Sequence, residues 1–209
     1  MWEFGSVREG GNTMNNTKVM GEALEFCPLS PERWQDLESL FGKSGACGGC
    51  WCMWYRLKRS EFEQNKGEGN KKLMKQIVES GEIPGILAYL DGKAVGWCSV
   101  APRTQFPALE RSRILKRIDD KPVWSIVCFY IAQDYRKKGL TGKLLNYVIE
   151  YCSKQGATII EAYPSDSPKK DLPDVFAWTG FASTFFKAGF KESARRSETR
   201  PLLRYEIKK

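Results

Sequence analysis

The 209-residue chain contains no histidine. That absence excludes a Ser-His-Asp triad, a Cys-His protease pair and any zinc site with an imidazole ligand. General-base chemistry must come from a carboxylate, a tyrosine, a cysteine, a lysine, the backbone or water. No apolar run approaches the roughly 20 residues of a membrane-spanning helix. The opening stretch, Met1-Trp2-Glu3-Phe4-Gly5 and onward, lacks an apolar signal core, so the expectation is a cytoplasmic protein with no membrane partner. In that setting seven cysteines, an odd number, read as mostly reduced thiols and not as a disulfide framework.

What is present is an ordinary globular mixture, 42% hydrophobic and 28% charged, which excludes wholesale disorder. The net charge is +8, from 33 basic and 25 acidic residues. A basic surface suits nucleic acid, an acidic membrane or an anionic small molecule, and charge alone does not choose among them. Lys71, Lys72 and Lys75 form a helix stripe, but no base-stacking motif or recognition helix accompanies it, so nucleic acid is not the expected partner.

Residues 1–20 are rich in Gly, Asn and Thr and lack periodicity; they are expected to be a flexible leader before a single domain at 21–209. Glu25 to Leu29 reads as a short strand. Ser30-Pro31 starts a helix with Trp34, Leu37, Leu40 and Phe41 at helical spacing, and Gly42 ends it. A second helix runs over Asn70 to Ser80. Gly85–Leu90 and Lys93–Val100 flank Asp91-Gly92, a two-residue hairpin turn. A short helix is expected near Leu109 to Leu115. Val123 to Ile131, rich in β-branched and aromatic residues, predicts a buried strand. The strongest helical pattern follows, with Leu144, Leu145, Val148, Ile149 and Cys152 on one face and Gly156 as its stop. Ala157 to Tyr163 is another strand, so a βαβ unit with two parallel strands is expected. Pro164 to Asp174 is a candidate lid. Phe181 to Ala188 reads as a helix, and Leu202 to Ile207 as a terminal strand.

Between the strongest strand and the strongest helix lies Gln133 to Lys143, Q-D-Y-R-K-K-G-L-T-G-K. A helix N-terminus offers unpaired backbone N–H groups and about half a positive charge, and glycines let a phosphate approach. Gly139 and Gly142 sit at this turn, ringed by Arg136, Lys137, Lys138 and Lys143, so the segment suits a polyanion. It is not a nucleotide-binding P-loop, which would need Gly at Lys137 and Ser or Thr at Leu144. Nor does it carry the three glycines of a dinucleotide fingerprint.

This run resembles the phosphate motif of the GNAT superfamily of acetyl-CoA-dependent N-acetyltransferases, Arg/Gln-x-x-Gly-x-Gly/Ala. Here it reads Arg136-Lys137-Lys138-Gly139-Leu140-Thr141, with Thr141 where the family has Gly or Ala. Phe185 to Phe190, F-F-K-A-G-F, is similar to the family's second signature. C-G-G-C-W-C, G-W-C-S-V-A-P-R and E-A-Y-P resemble a bacterial branch of it. The resemblance implies an α/β, GNAT-like fold: a central, mixed, mostly antiparallel sheet with one parallel βαβ unit, flanked by helices. It implies acetyl-CoA as cosubstrate. The backbone of Phe129 and Ile131 would meet the pantetheine arm, and Arg136, Lys137, Lys138, Gly139, Leu140, Thr141 and Gly142 would hold the pyrophosphate. It further implies direct transfer of acetyl to a primary amine in a ternary complex, the acceptor being a small molecule or a peptide.

The chemistry needs a path for the amine proton and a donor to the departing thiolate. The family often places a tyrosine donor where this chain has Phe185. Alternation along the strand Ala157 to Tyr163 sets Glu161 and Tyr163 on one face and Ile160 and Ala162 on the other. Glu161 as base and Tyr163 as donor, facing a cleft beside the coenzyme, is therefore the expected catalytic pair. Cys128 reads as a small buried hydrophobe. The Cys47-Gly48-Gly49-Cys50-Trp51-Cys52 run supplies only three local thiols. A metal site would need Cys27 or Cys98 as well, and a redox pair is a second alternative. The favoured reading is a rigid loop setting Trp51, Trp54 and Tyr55 over a partly apolar or aromatic acceptor. A non-catalytic acyl-CoA-binding or sensor domain of the same fold, and a basic RNA- or ribosome-associated protein, remain the alternatives. The sequence does not give the oligomeric state.

Overall fold

The computed structural model describes residues 17–19, 22–166 and 178–208. The expected leader therefore lies outside the described residues except for 17–19, and the expected lid from Pro164 to Asp174 lies outside them beyond residue 166.

Among the described residues, eight strands form one sheet. They are β1 (Thr17–Val19), β2 (Glu22–Pro28), β3 (Gly85–Leu90), β4 (Lys93–Pro102), β5 (Trp124–Ile131), β6 (Ile159–Ala162), β7 (Lys191–Arg195) and β8 (Pro201–Glu206). Their order is β1-β2-β3-β4-β5-β6-β8-β7. Every neighbouring pair is antiparallel except β5 and β6, which run parallel. The helices are α1 (Trp34–Phe41), α2 (Arg59–Gln64), α3 (Glu68–Glu79), α4 (Pro107–Arg111), α5 (Leu140–Lys154) and α6 (Ala182–Lys187). The mixed, mostly antiparallel sheet with one βαβ crossover through α5 is the expected architecture. No described helix is long and apolar enough to cross a membrane.

Strand alternation divides the core into two layers. On β3, Ile86 and Ala88 join the cluster under α5 and α6, whereas Leu87 and Tyr89 join the cluster under α1 and α3. Leu144, Leu145 and Val148 of α5 are fully buried against the first face, each contributing about 1.5–3 kcal/mol of transfer free energy. Leu37, Phe41, Met74 and Val78 cover the second. Asp91 and Gly92 have φ of 49° and 76°, the pair of positive values a two-residue type I′ turn requires.

Two irregularities in β5 build the site. The register passes from Ser99↔Cys128 to Val100↔Ile126, so Val127 is the extra residue of a bulge. One added residue reverses the faces beyond it. Ile126 and Phe129 therefore both face α5, while Cys128 and Tyr130 turn to the α1 side. In addition, β5 pairs with β6 only from Trp124 to Ile126. Past that point the two parallel strands part.

Candidate functional site

The Gln133–Lys143 segment lies where the sequence places it, joining the end of β5 to the start of α5. Gly139 is the residue before the helix and is left-handed, at φ 77° and ψ 3°. Lys137 also has a positive φ, 60°. Leu140 is buried against Ile131 and Gly96, which anchors the first turn. Among the described residues, the backbone N–H groups of Lys137, Lys138, Gly139, Leu140 and Thr141 have no protein acceptor; the amides of Gly142 and Lys143 close onto the Gly139 carbonyl at 3.2 and 3.4 Å. A Cβ built at Gly139 or Gly142 meets nothing within 4 Å, so the approach to these amides is open. Lys137 and Lys138 are exposed beside them, and Arg136 folds back to donate from Nε to the Ile131 carbonyl at 2.9 Å. Five unpartnered donors at a helix start, with cations around them, form a cradle for a phosphate or diphosphate.

From this cradle the parted edge of β5 leads inward. The Phe129 N–H donates to the carbonyl of Trp178 at 2.6 Å. The segment around Trp178 also reaches the other side of the opening, where Ser165 N–H donates to the Gly180 carbonyl at 2.8 Å and Ala182 N–H to the Ser165 carbonyl at 2.9 Å. Residues 178–182 thus form a strap across the gap between β5 and the end of β6. Gly180 has a φ of 78°, and a Cβ there would meet Phe185 at 2.9 Å, so the strap sits close over that ring. Phe185, fully buried, stacks edge-on against Phe129 and Phe190 with centroids 6.0 and 5.1 Å away.

A cavity of about 320 Å³ opens beside the strap. Its floor is Val127 to Tyr130 of β5. Its walls come from the Cys-rich turn, with Cys47, Cys50, Cys52, Trp54 and Tyr55, and from Trp178. Arg59, Phe62 and Glu63 of α2, with Lys66, complete it. The aromatic side chains brace one another: Trp54 meets Phe62 at 5.0 Å and Trp178 at 6.2 Å, and Tyr55 meets Trp178 at 5.7 Å. The Arg59 guanidinium lies 4.2 Å over the Trp54 ring and pairs with Glu63 at 2.6 Å. Trp51, expected over the pocket, instead packs into the core between Trp34 and Phe41. Positive φ at Trp51 and Cys52, 35° and 55°, turns it inward, and Gly45 leaves it room, since a Cβ there would sit 2.2 Å from its indole nitrogen.

The thiols of this turn are free and spread over the cavity wall. Cys52 Sγ lies 3.9 Å from Cys128 Sγ, and the Trp97 indole N–H donates to Cys52 Sγ at 3.0 Å. The hydrogen bond from Cys52 favours the Cys128 thiolate, but burial and the neighbouring thiols push Cys128 up on balance. Its contact with Cys128, with burial added, also holds Cys52 well above the ordinary thiol range. Both therefore stay protonated near neutral pH. Among the described residues, no group of three or more Cys, Asp or Glu side chains is disposed to hold a metal ion.

Glu161 and Tyr163 do share one face of the β6 segment, as alternation requires, but that face is closed. Both are buried, and neither lines the cavity. The 103–121 stretch covers them. Arg103 Nη1 donates to Glu161 Oε2 at 2.8 Å and to the Tyr163 hydroxyl at 2.5 Å, and Arg204 Nε donates to Glu161 Oε1 at 2.8 Å. The Tyr163 hydroxyl donates to Glu161 Oε2 at 2.7 Å and lies 2.9 Å from Ser125 Oγ. Arg103 continues to Glu110, and Arg204 to Asp119. Burial, reinforced by the Glu161 carboxylate, raises the Tyr163 phenol well above its ordinary value. No local pattern marks Arg103 and Arg204 as partners, because the pairing joins positions far apart in the chain.

The family model described as "Acetyltransferase (GNAT) family" matches residues 51–171, more than half of the chain. Among solved structures, the PaiA N-acetyltransferase of Thermoplasma acidophilum, in complex with coenzyme A, is 18% identical with a TM-score of 0.50. The match covers 88% of this chain and 99% of that one. A GNAT-family acetyltransferase from Listeria monocytogenes is 10% identical with a TM-score of 0.58, covering 92% and 100%. The ribosomal-protein-S5-alanine acetyltransferase of Vibrio fischeri is 14% identical with a TM-score of 0.53, covering 91% and 96%. At these identities the likeness speaks for the fold. A search of curated proteins gave no match.

Proposed function

Since the chain belongs to the GNAT acetyltransferase family, we propose that it moves an acetyl group from acetyl-CoA to a primary amine, directly and within a ternary complex. The observation that carries this reading is the row of unpartnered amides from Lys137 to Thr141, opening beside a strand edge that leads to a cavity. The pyrophosphate would sit on those amides, with Arg136, Lys137 and Lys138 supplying charge; the Gly142 N–H, expected among the donors, is instead taken by the Gly139 carbonyl. The pantetheine arm would follow the backbone of Phe129 and Ile131, exchanging with the Trp178 carbonyl at the Phe129 N–H. Acetyl-CoA, once bound, supplies the activated acyl group as a thioester.

The amine would enter the cavity lined by Trp54, Tyr55, Phe62 and Trp178. Those walls favour an acceptor with an apolar or aromatic body over a bare polyamine. Its proton would leave through solvent at the cavity mouth. Assigning that step to Glu161, with Tyr163 as donor, would require the buried arginine network to open first. A soluble, cytoplasmic setting is part of the same proposal.

Calorimetry with acetyl-CoA, followed by an amine panel scored by free thiol release, tests the proposal. Binding with a heat signal and acceptor-dependent release are expected. No binding would overturn the cradle assignment. Binding without release from any amine would favour a non-catalytic acyl-CoA-binding domain.

A further inference from the structure

Tyr55 is the one tyrosine of the Cys-rich turn, and it lines the cavity next to Cys128 and Trp178. Its ring is nearly buried, but its hydroxyl is not idle. Arg200, in the turn that precedes β8, donates from Nη2 to the Tyr55 oxygen at 3.3 Å and from Nη1 to Thr179 Oγ1 at 3.1 Å. The same guanidinium lies 5.9 Å from the Trp178 ring. Arg200 therefore ties the strap to the Cys-rich turn with the phenol between them. Among the described residues, no acceptor takes the Tyr55 proton. A phenol that accepts from an arginine and keeps its own proton unspent is arranged to give that proton away and to leave a phenolate beside a fixed cation.

Resting on the acetyltransfer reading above, we propose that Tyr55 is the catalytic acid that protonates the departing coenzyme thiolate, with Arg200 as its positioning residue. The amine nitrogen's lone pair forms the C–N bond, and the C–S bond breaks with its electron pair on sulfur. The Tyr55 Oη–H proton passes to that sulfur. The proton lost by the nitrogen goes to solvent, and solvent returns one to the phenolate, so protons balance over a turnover. This places the donor on the acceptor side of the cavity, at a position unrelated in sequence to Phe185.

The charged and titratable groups around the phenol are Arg200 from the β8 turn, Cys128 from β5 and Tyr163 at the end of β6, which shares its apolar cluster. Burial pushes the Tyr55 phenol above its ordinary value while Arg200 pulls the other way. The acid form consequently holds across the neutral and mildly basic range. The turnover rate should rise with pH as the amine loses its proton, without a falling limb up to about pH 10.

The test uses the full chain and the best amine from the panel. Tyr55→Phe should lower kcat by about a hundredfold or more, the usual range for loss of a general acid, while acetyl-CoA affinity by calorimetry and the amine KM stay within about twofold. Fluorotyrosine at position 55, which is more acidic, should keep the fold and create a falling limb below pH 10. Arg200→Gln should lower kcat, and Arg200→Lys should restore part of it. Unchanged kcat in Tyr55→Phe, or an unshifted pH profile with fluorotyrosine, would overturn the assignment even if the protein proves to be an acetyltransferase. Absence of acetyl-CoA binding in the unaltered protein would instead sink the underlying reading. If Tyr55→Phe does not fold, the fluorotyrosine profile alone decides.

Discussion

Replacing Glu161 with glutamine separates a structural role for the buried network from a catalytic one. The carboxylate is fully buried, with Arg204 on Oε1 and both Arg103 and Tyr163 on Oε2. Glutamine keeps the shape but only one of the two oxygens. Its amide NH₂ must then face the Arg103 or the Arg204 guanidinium, donor against donor. Breaking one side of a buried ion pair costs about 3–5 kcal/mol. Here the loss should fall near the lower end, about 3 kcal/mol, because Arg103 keeps Glu110 and Arg204 keeps Asp119. For a chain of this length, 1 kcal/mol moves the midpoint by roughly 2–4 °C, so Glu161→Gln should melt roughly 6–12 °C lower. Thermal unfolding by circular dichroism measures that shift. Steady-state kinetics, taken well below the lowered midpoint, should find kcat and its pH dependence near those of the unaltered protein. A variant that melts normally and loses turnover would refute the structural reading and return Glu161 to the role of base.

Other outcomes follow from the same geometry. Gly139→Ala forces a side chain into φ 77° at a cost of about 1 kcal/mol and should weaken acetyl-CoA binding several-fold by calorimetry. Gly142→Ala, without a positive φ and in open space, should leave the affinity nearly unchanged; equal losses at both positions would speak against the cradle. Trp54→Ala should raise the amine KM roughly tenfold and leave that of acetyl-CoA alone. The Asp119 carboxyl is held at about 2, chiefly by its hydrogen bonds from Arg204. Its folded value lies below its unfolded one, so its contribution is present above pH 4 and disappears as the pH falls through 2. Asp119→Asn should therefore lower the melting temperature at pH 7, and the gap to the unaltered protein should close on acidification toward pH 2.

Much of the core was legible because it is local. Val123 to Ile131, the glycine-bearing loop and the period of α5 announce a strand, a turn and a helix within one short window, and the Asp91-Gly92 turn announces its hairpin. Helix α2 was missed because Arg59-Ser60-Glu61-Phe62-Glu63-Gln64 carries a single apolar residue and no period. Strand β7, Lys191-Glu192-Ser193-Ala194-Arg195, lies at the sheet edge with mostly exposed side chains, so it has no apolar alternation to read. Alternation did assign the faces of Glu161 and Tyr163. What it missed was non-local: the arginines that seal that face come from positions 103 and 204. The bulge at Val127 likewise depends on pairing with β4, although it decides that Cys128 and Tyr130 face the α1 side and the cavity there. Trp51 was misplaced because two left-handed residues reverse the turn, and neither is a glycine.

The bond between Phe129 and Trp178 sets the terms on which any guest can use this strand. An incoming arm does not find a dangling donor waiting for it; it trades places with a carbonyl that the chain supplies itself. Such a swap yields only the difference between two similar bonds, so under the proposed binding mode grip comes from the diphosphate end, and the inner end is left to discriminate. The same self-pairing covers a strand margin that would otherwise stand open to pairing with a neighbouring molecule.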